Sequence, residues 1–111
     1  MKTITLNGVD YIEKQAMAEG QVIIRSRDSG VHFGTLASRD GSEVALHNSR
    51  RLWYWSGAAS LNQMAVSGVS NPRECKFSIR VPVITVLGVC EILPCTSSAA
   101  ANIEEVPEWT A

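Results

Sequence analysis

The chain opens with two short apolar-rich runs, TITL and VDYI, on either side of Asn7-Gly8. Asn-Gly between such runs is the strongest local hairpin signal, because a type I′ turn needs positive φ at both central positions. Small, helix-tolerant residues fill Gln15 to Glu19, with a stop at Gly20. Gln21 to Arg27 (QVIIRSR) is rich in β-branched residues and predicts a strand, turned by Asp28-Ser29-Gly30. Val31 to Ser38 is the next strand and Arg39-Asp40-Gly41-Ser42 the next turn. Glu43 to Trp55 is then one long strand or two strands meeting near Asn48-Ser49. Strands separated by tight turns in this way predict an antiparallel meander.

The period changes after Trp55. Leu61, Met64, Ala65 and Val69 fall on one side of a helix spanning about 58–69. Ser60 with Gln63 matches a capping box, and Ser56 is the alternative cap. Gly68 and Asn71-Pro72 end that helix. Cys75 to Leu93 is strand-like, with Pro82 marking an edge or bend because proline cannot donate to a ladder, and Pro94 closing the stretch. A short C-terminal helix is predicted at about 97–105, capped by Thr96 or Ser97, with acidic residues late, where they oppose its dipole. Such a helix must dock on something. Trp109 in the tail is expected to anchor in a groove of this chain or of a neighbour. The fold class is α+β: an antiparallel meander sheet of five to seven strands, one main helix and one short C-terminal helix, in a single domain over 1–111.

Composition narrows the function. The 111 residues carry ten basic and eleven acidic side chains, a net charge of −1. No overall field draws the chain to DNA or holds it on an anionic membrane. It has no run of about 18 apolar residues and no basic segment leading into an apolar one, so a soluble, unexported protein is expected. Cys75, Cys90 and Cys95 match neither a disulfide framework nor a zinc-site spacing, and are expected to be reduced core thiols with no metal. Catalysis finds little support: the two histidines, His32 and His47, belong to no nucleophile–base order, and no Gly-rich phosphate loop or cofactor signature occurs. A non-enzyme is expected.

The densest local signal is RRLWYWSGAAS, residues 50–60, which holds three of the seven aromatic residues in one triplet. In an extended strand Arg51, Trp53 and Trp55 share one face, and Arg50, Leu52 and Tyr54 the other. Aromatic plates beside a guanidinium can stack a heterocycle and grip a phosphate. The following helix start adds unpaired amides that favour anions. The candidate ligand-binding residues are therefore Arg51, Trp53 and Trp55, with Arg50, Ser56 and Ser60 completing an anion site. His32 and Phe33, just past a turn, and Arg73 and Lys76, near the helix end, stand in reserve. The same motif is equally explained by a core under the helix or by an oligomer interface, where aromatics and arginine concentrate.

The blocks RRLWYWSGAASLNQMAVSGVSNPRECKF and VCEILPCTSSAAANIEEVPEW resemble a small phage and prophage family of unknown function, over roughly Gly30 to Trp109. That resemblance implies a virus-encoded protein acting in the cytoplasm of the bacterial host. The size, strand-rich layout and phage setting are also similar to those of the Thoeris anti-defence family of signal sponges. That second resemblance implies a homo-oligomer, dimer or hexamer, that sequesters a nucleotide second messenger, a cyclic ADP-ribose isomer or cyclic oligonucleotide, without cleaving it. The rival expectation is a small structural or accessory virion protein, or a protein-binding inhibitor, whose tryptophan motif is an assembly interface.

Overall fold

The computed structural model describes residues 16–111 and, ahead of them, two strands, β1 (Thr3–Leu6) and β2 (Val9–Ile12). These pair antiparallel with Leu6 opposite Val9, as a hairpin requires; the Asn7-Gly8 turn lies outside the described residues. The meander follows as β3 (Met17–Ser26), β4 (Gly30–Asp40) and β5 (Glu43–Tyr54). Met17 to Glu19, read from the sequence as helix-tolerant, is strand, and Met17 lies opposite Thr96. Gly20 sits in the register shift between Met17 and Val22 rather than at a helix end. Pairing with a partner strand here overrides a weak local preference.

The strand-like stretch after the main helix divides into β6 (Lys76–Phe77), β7 (Val81–Val86) and β8 (Val89–Thr96). The sheet order is β6-β5-β4-β3-β8, with β7 pairing the first half of β5. Pro94 does not close β8 but lies inside it, opposite Val22. An edge strand tolerates this because one of its rows of N–H groups has no strand to bond. Pro82 is likewise in an edge strand, as expected.

The topology forces the sheet to curl. Val86 and Val89 belong to strands on opposite edges, yet three virtual bonds can span at most about 11 Å, whereas three intervening strands in a flat sheet would separate those edges by about 19 Å. The turns confirm the curl: the Val89 amide donates to the Ser42 carbonyl at 2.9 Å, while Ser26 Oγ donates to the Leu87 carbonyl at 2.8 Å. Ser26 and Ser42 flank opposite ends of β4, so a straight strand would hold them roughly 33 Å apart.

The bend lies at two register shifts between β4 and β5. At the first, Phe33 pairs Arg50 and Thr35 pairs His47, so β5 carries one extra residue, with Asn48 at φ 49°. Asparagine is among the few non-glycine residues that visit this left-handed region. Gly34 faces this bulge so closely that a Cβ there would lie 3.0 Å from the His47 carbonyl oxygen. The extra residue reverses the alternation of β5. Before it, Val44 and Leu46 point into a cluster with Val22, Ile24 and Val86 inside the curl. After it, Leu52 points to the opposite face, into the main core with Ile23, Phe33, Met64, Phe77 and Ile103 beneath the helices.

Helix α1 (Leu61–Ser67) is shorter than the expected 58–69. Ser60 is its cap, accepting from the Gln63 amide, and the Gln63 side chain accepts in turn from the Ala59 amide at 2.6 Å. Met64 and Ala65 are its buried face. A clasp closes the surrounding loop: the Ser70 and Asn71 amides donate to the Gly57 and Ser56 carbonyls at 3.2 and 3.3 Å. Helix α2 (Ser97–Glu105) is capped by Thr96, whose hydroxyl accepts from the Ala99 amide at 3.1 Å and donates to the Val66 carbonyl at 2.7 Å. The Asn102 side chain bonds both the N–H and the C=O of Val69, tying α2 to the end of α1.

The acidic end of α2 is countered from outside the helix. Arg80 pairs Glu104 at 3.2 Å and Glu108 at 3.0 Å. Beneath them Arg50 donates from Nη1 to the Ile103 and Val106 carbonyls, both at 2.9 Å. Cations at a helix C-terminus oppose its negative end. Trp109 is not buried in a groove of this chain: the residue is 49% exposed, with the Lys76 ammonium 5.5 Å from the centre of its ring. Its backbone makes the attachment, the amide donating to the Phe77 carbonyl at 2.8 Å. Cys75 and Cys95 are core thiols as expected, the latter pushed up to about 11 by burial, but Cys90 is exposed. No helix among the described residues is long and apolar enough to cross a membrane.

Candidate functional site

Past the Asn48 bulge, β5 presents Ser49, Arg51 and Trp53 on the face away from the helices. The Arg51 guanidinium stands 5.0 Å from the centre of the Trp53 ring, a cation–π pair on a surface where Trp53 remains 58% exposed. The Arg51 backbone is held on both sides by Ser78: its amide donates to Ser78 Oγ at 2.8 Å and its carbonyl accepts from the Ser78 amide at 2.9 Å.

Two clefts meet at this pair. One, of about 290 Å³, has His32, Ser49, Arg51 and Ser78 as polar lining and Trp53, Val81 and Ile84 among its apolar walls. The other, of about 460 Å³, runs between Trp53, Trp55 and Arg51 on one side and the Arg27-to-Val31 turn on the other. Both are near the lower end of the size of small-ligand sites. The two sequence-named residues that join them, Arg51 and Trp53, are the centre of the candidate site.

The structure separates the remaining candidates. Arg50 is fully buried, and its guanidinium is committed to the carbonyls of Phe77, Ser78, Ile103 and Val106, so it offers nothing to a ligand. Phe33 is also fully buried, on the helix side. Trp55 lies beyond the end of β5, where it packs against the main core while lining the larger cleft. Ser56 and Ser60 line neither cleft. The Ser56 hydroxyl donates to Glu74 at 3.2 Å and accepts from Asn71 at 3.0 Å, and Ser60 caps α1. The expected anion site at the helix start is therefore not joined to Arg51. Arg73 borders a separate depression with Asn71, Pro72 and Glu74, and Lys76 covers Trp109.

His32 does belong to the site, directly opposite Arg51 in the β4–β5 ladder. It is buried and its Nε2 lies 2.9 Å from the Ser29 carbonyl. Burial, aided by the Arg51 charge and opposed by that hydrogen bond, lowers its pKa from the usual 6.5. The unfolded chain therefore takes up this proton first as pH falls. Unfolding free energy is expected to hold above the ordinary histidine range and to decline from about pH 6.5 downward. Urea titrations across that interval check this, and His32→Gln should remove the His32 share of the slope.

Ser49, Ser78, Val81 and Ile84 were missed by sequence reasoning. Ser49 had a local signal, since it stands two positions before Arg51. Ser78 arrives through its two bonds to the Arg51 backbone, and Val81 and Ile84 through the pairing of β7 with β5, which no local pattern announces. Among the described residues no group of three or more His, Cys, Asp or Glu side chains could hold a metal.

A family model described as Domain of unknown function (DUF6948) matches residues 19–103, a span that includes every residue of both clefts. No curated protein and no solved structure matches the chain.

Proposed function

Since the chain belongs to the DUF6948 family, which brings no activity with it, we propose from the site alone that it is a non-catalytic binder of a nucleotide-like ligand. The carrying observation is the Arg51 guanidinium set against the exposed Trp53 ring between two clefts. An indole face stacks a base for about 1–3 kcal/mol, and a guanidinium can bridge two phosphate oxygens. With the phage resemblance, the reading becomes a viral protein that works in the bacterial cytoplasm and holds a nucleotide second messenger, a cyclic ADP-ribose isomer or cyclic oligonucleotide, intact and away from its receptor. A second subunit would deepen these shallow clefts.

One observation favours the assembly reading. Trp53, Ile79, Val81 and Val83 are all large, apolar and exposed, and three of the four border the smaller cleft. Such a patch suits a protein partner as well as a base.

Purified protein mixed with cyclic nucleotides and ADP-ribose isomers, washed, and then heat-denatured is expected to release one of them unchanged. A converted product would make the chain an enzyme, and no retained ligand would favour assembly. Arg51→Ala is expected to weaken retention about tenfold or more with little change in the unfolding midpoint, because the side chain is partly exposed and its packing partner is the Trp53 ring.

A further inference from the structure

The two clefts differ in one respect that bears on what they take. Ser49 is 1% exposed and its Oγ has no hydrogen-bond partner, although it lines the smaller cleft. Buried hydroxyls without a partner are rare in folded proteins, and this one is the only such side-chain atom among the described residues. The bulge at Asn48 is what turns it to this face. His32 supplies the complementary group. Its Nε2 must donate, because the Ser29 oxygen 2.9 Å away is a carbonyl. In the neutral ring Nδ1 is then an acceptor.

We propose that the smaller cleft seats the hydrogen-bonding edge of a heterocyclic base, with Ser49 Oγ and His32 Nδ1 reading adjacent acceptor and donor groups on that edge and Trp53 covering its face. This rests on the reading of Arg51 and Trp53 as a ligand surface and adds which cleft is used and what chemistry is recognised. Val81 and Ile84 provide apolar walls beside those two groups. Adenine and cytosine meet the requirement directly: the exocyclic amine donates to His32 and the neighbouring ring nitrogen accepts from Ser49. A purine without an amine or ring N–H on that edge cannot satisfy His32.

The test is an isotope-labelled full chain titrated with the 5′-monophosphates of adenosine, cytidine, guanosine, uridine and purine riboside, following the amides of residues 27–31, 49 and 78, the His32 ring and the Trp53 and Trp55 indoles. The expected result with adenosine monophosphate is shifts at Ser49, His32, Ser78 and Trp53, with purine riboside monophosphate bound less tightly. Ser49→Ala should weaken adenosine monophosphate binding about fivefold, with an unfolding midpoint unchanged or raised because an unpaired hydroxyl has been removed. Shifts confined to residues 27–31 and Trp55, or equal binding by Ser49→Ala, overturn this assignment and leave nucleotide binding standing. No shifts with any of the five overturn both.

Discussion

Replacing Arg50 with methionine is expected to destabilise the protein by roughly 3–5 kcal/mol, a fall of about 15 °C in Tm for a domain of this size. The guanidinium is fully buried and donates four times: to Ile103 and Val106 at 2.9 Å, to Ser78 at 3.2 Å and to Phe77 at 3.4 Å. It also lies over the Phe77 ring at 5.5 Å. Methionine keeps much of the apolar stem but removes every donor. The Ile103 and Phe77 carbonyls retain the Val106 and Trp109 amides, whereas Val106 and Ser78 lose their guanidinium donor. Removing a donor while its buried acceptors stay is the costly direction, unlike replacing both sides of a pair with hydrocarbon. Lysine should recover only part of the loss, since one ammonium cannot reproduce four donations to the carbonyls of two segments, 77–78 and 103–106. Urea unfolding measures the change, and native-state amide exchange should show α2 loosening first. A midpoint shift worth less than about 1 kcal/mol would mean that Arg50 does not hold α2 to the sheet.

The second large effect is expected at Gly57. Its φ is +96°, and an added Cβ would lie 2.5 Å from the Ser70 amide nitrogen and 2.8 Å from that of Asn71, besides striking Ser70 Oγ. Two of the three obstacles are backbone, so no rotamer change relieves them. They are also the donors of the clasp around α1. Gly57→Ala is expected to cost roughly 2–4 kcal/mol through backbone strain and the opened clasp. Gly41→Ala isolates the first contribution: φ there is +60° with nothing near the added atom, so the cost should be about 1 kcal/mol. Cys75 gives a local readout, because its sulfur accepts from the Ser56 amide at 3.4 Å and it is buried by the same loop. Alkylation of Cys75 should accelerate in Gly57→Ala and stay slow in Gly41→Ala. Equal costs at both glycines would remove the steric argument.

A single residue explains why the candidate site was half readable. That Arg51 and Trp53 share a face follows from strand alternation alone, and they do meet, at 5.0 Å. Which face that is depends on the extra residue at Asn48. Without it Arg51 and Trp53 would lie under the helices, and Arg50 and Leu52 would point into the curl. The same reversal sends Arg50 beneath α2, where its positive charge meets a helix end that has no basic residue of its own. An arginine next to another arginine in a strand looks equally available from sequence; burial made the difference.

What the amino-acid order determined by itself is whatever depends on neighbours a few positions apart. That includes the turn-bounded strands, the 60–63 and Thr96 caps, the buried Met64 and Ala65 on α1, and the pairing of guanidinium with indole along β5. Tertiary structure alone decided the parity reversal, the curl of the sheet that Leu87-Gly88 spans, the interior places of Arg50 and Phe33, and the arrival of Ser78, Val81 and Ile84 in the cleft with Ser49. The physical reason is that strand register and burial arise from contacts between distant segments: a one-residue slip leaves local preferences almost untouched and exchanges every inward side chain for an outward one.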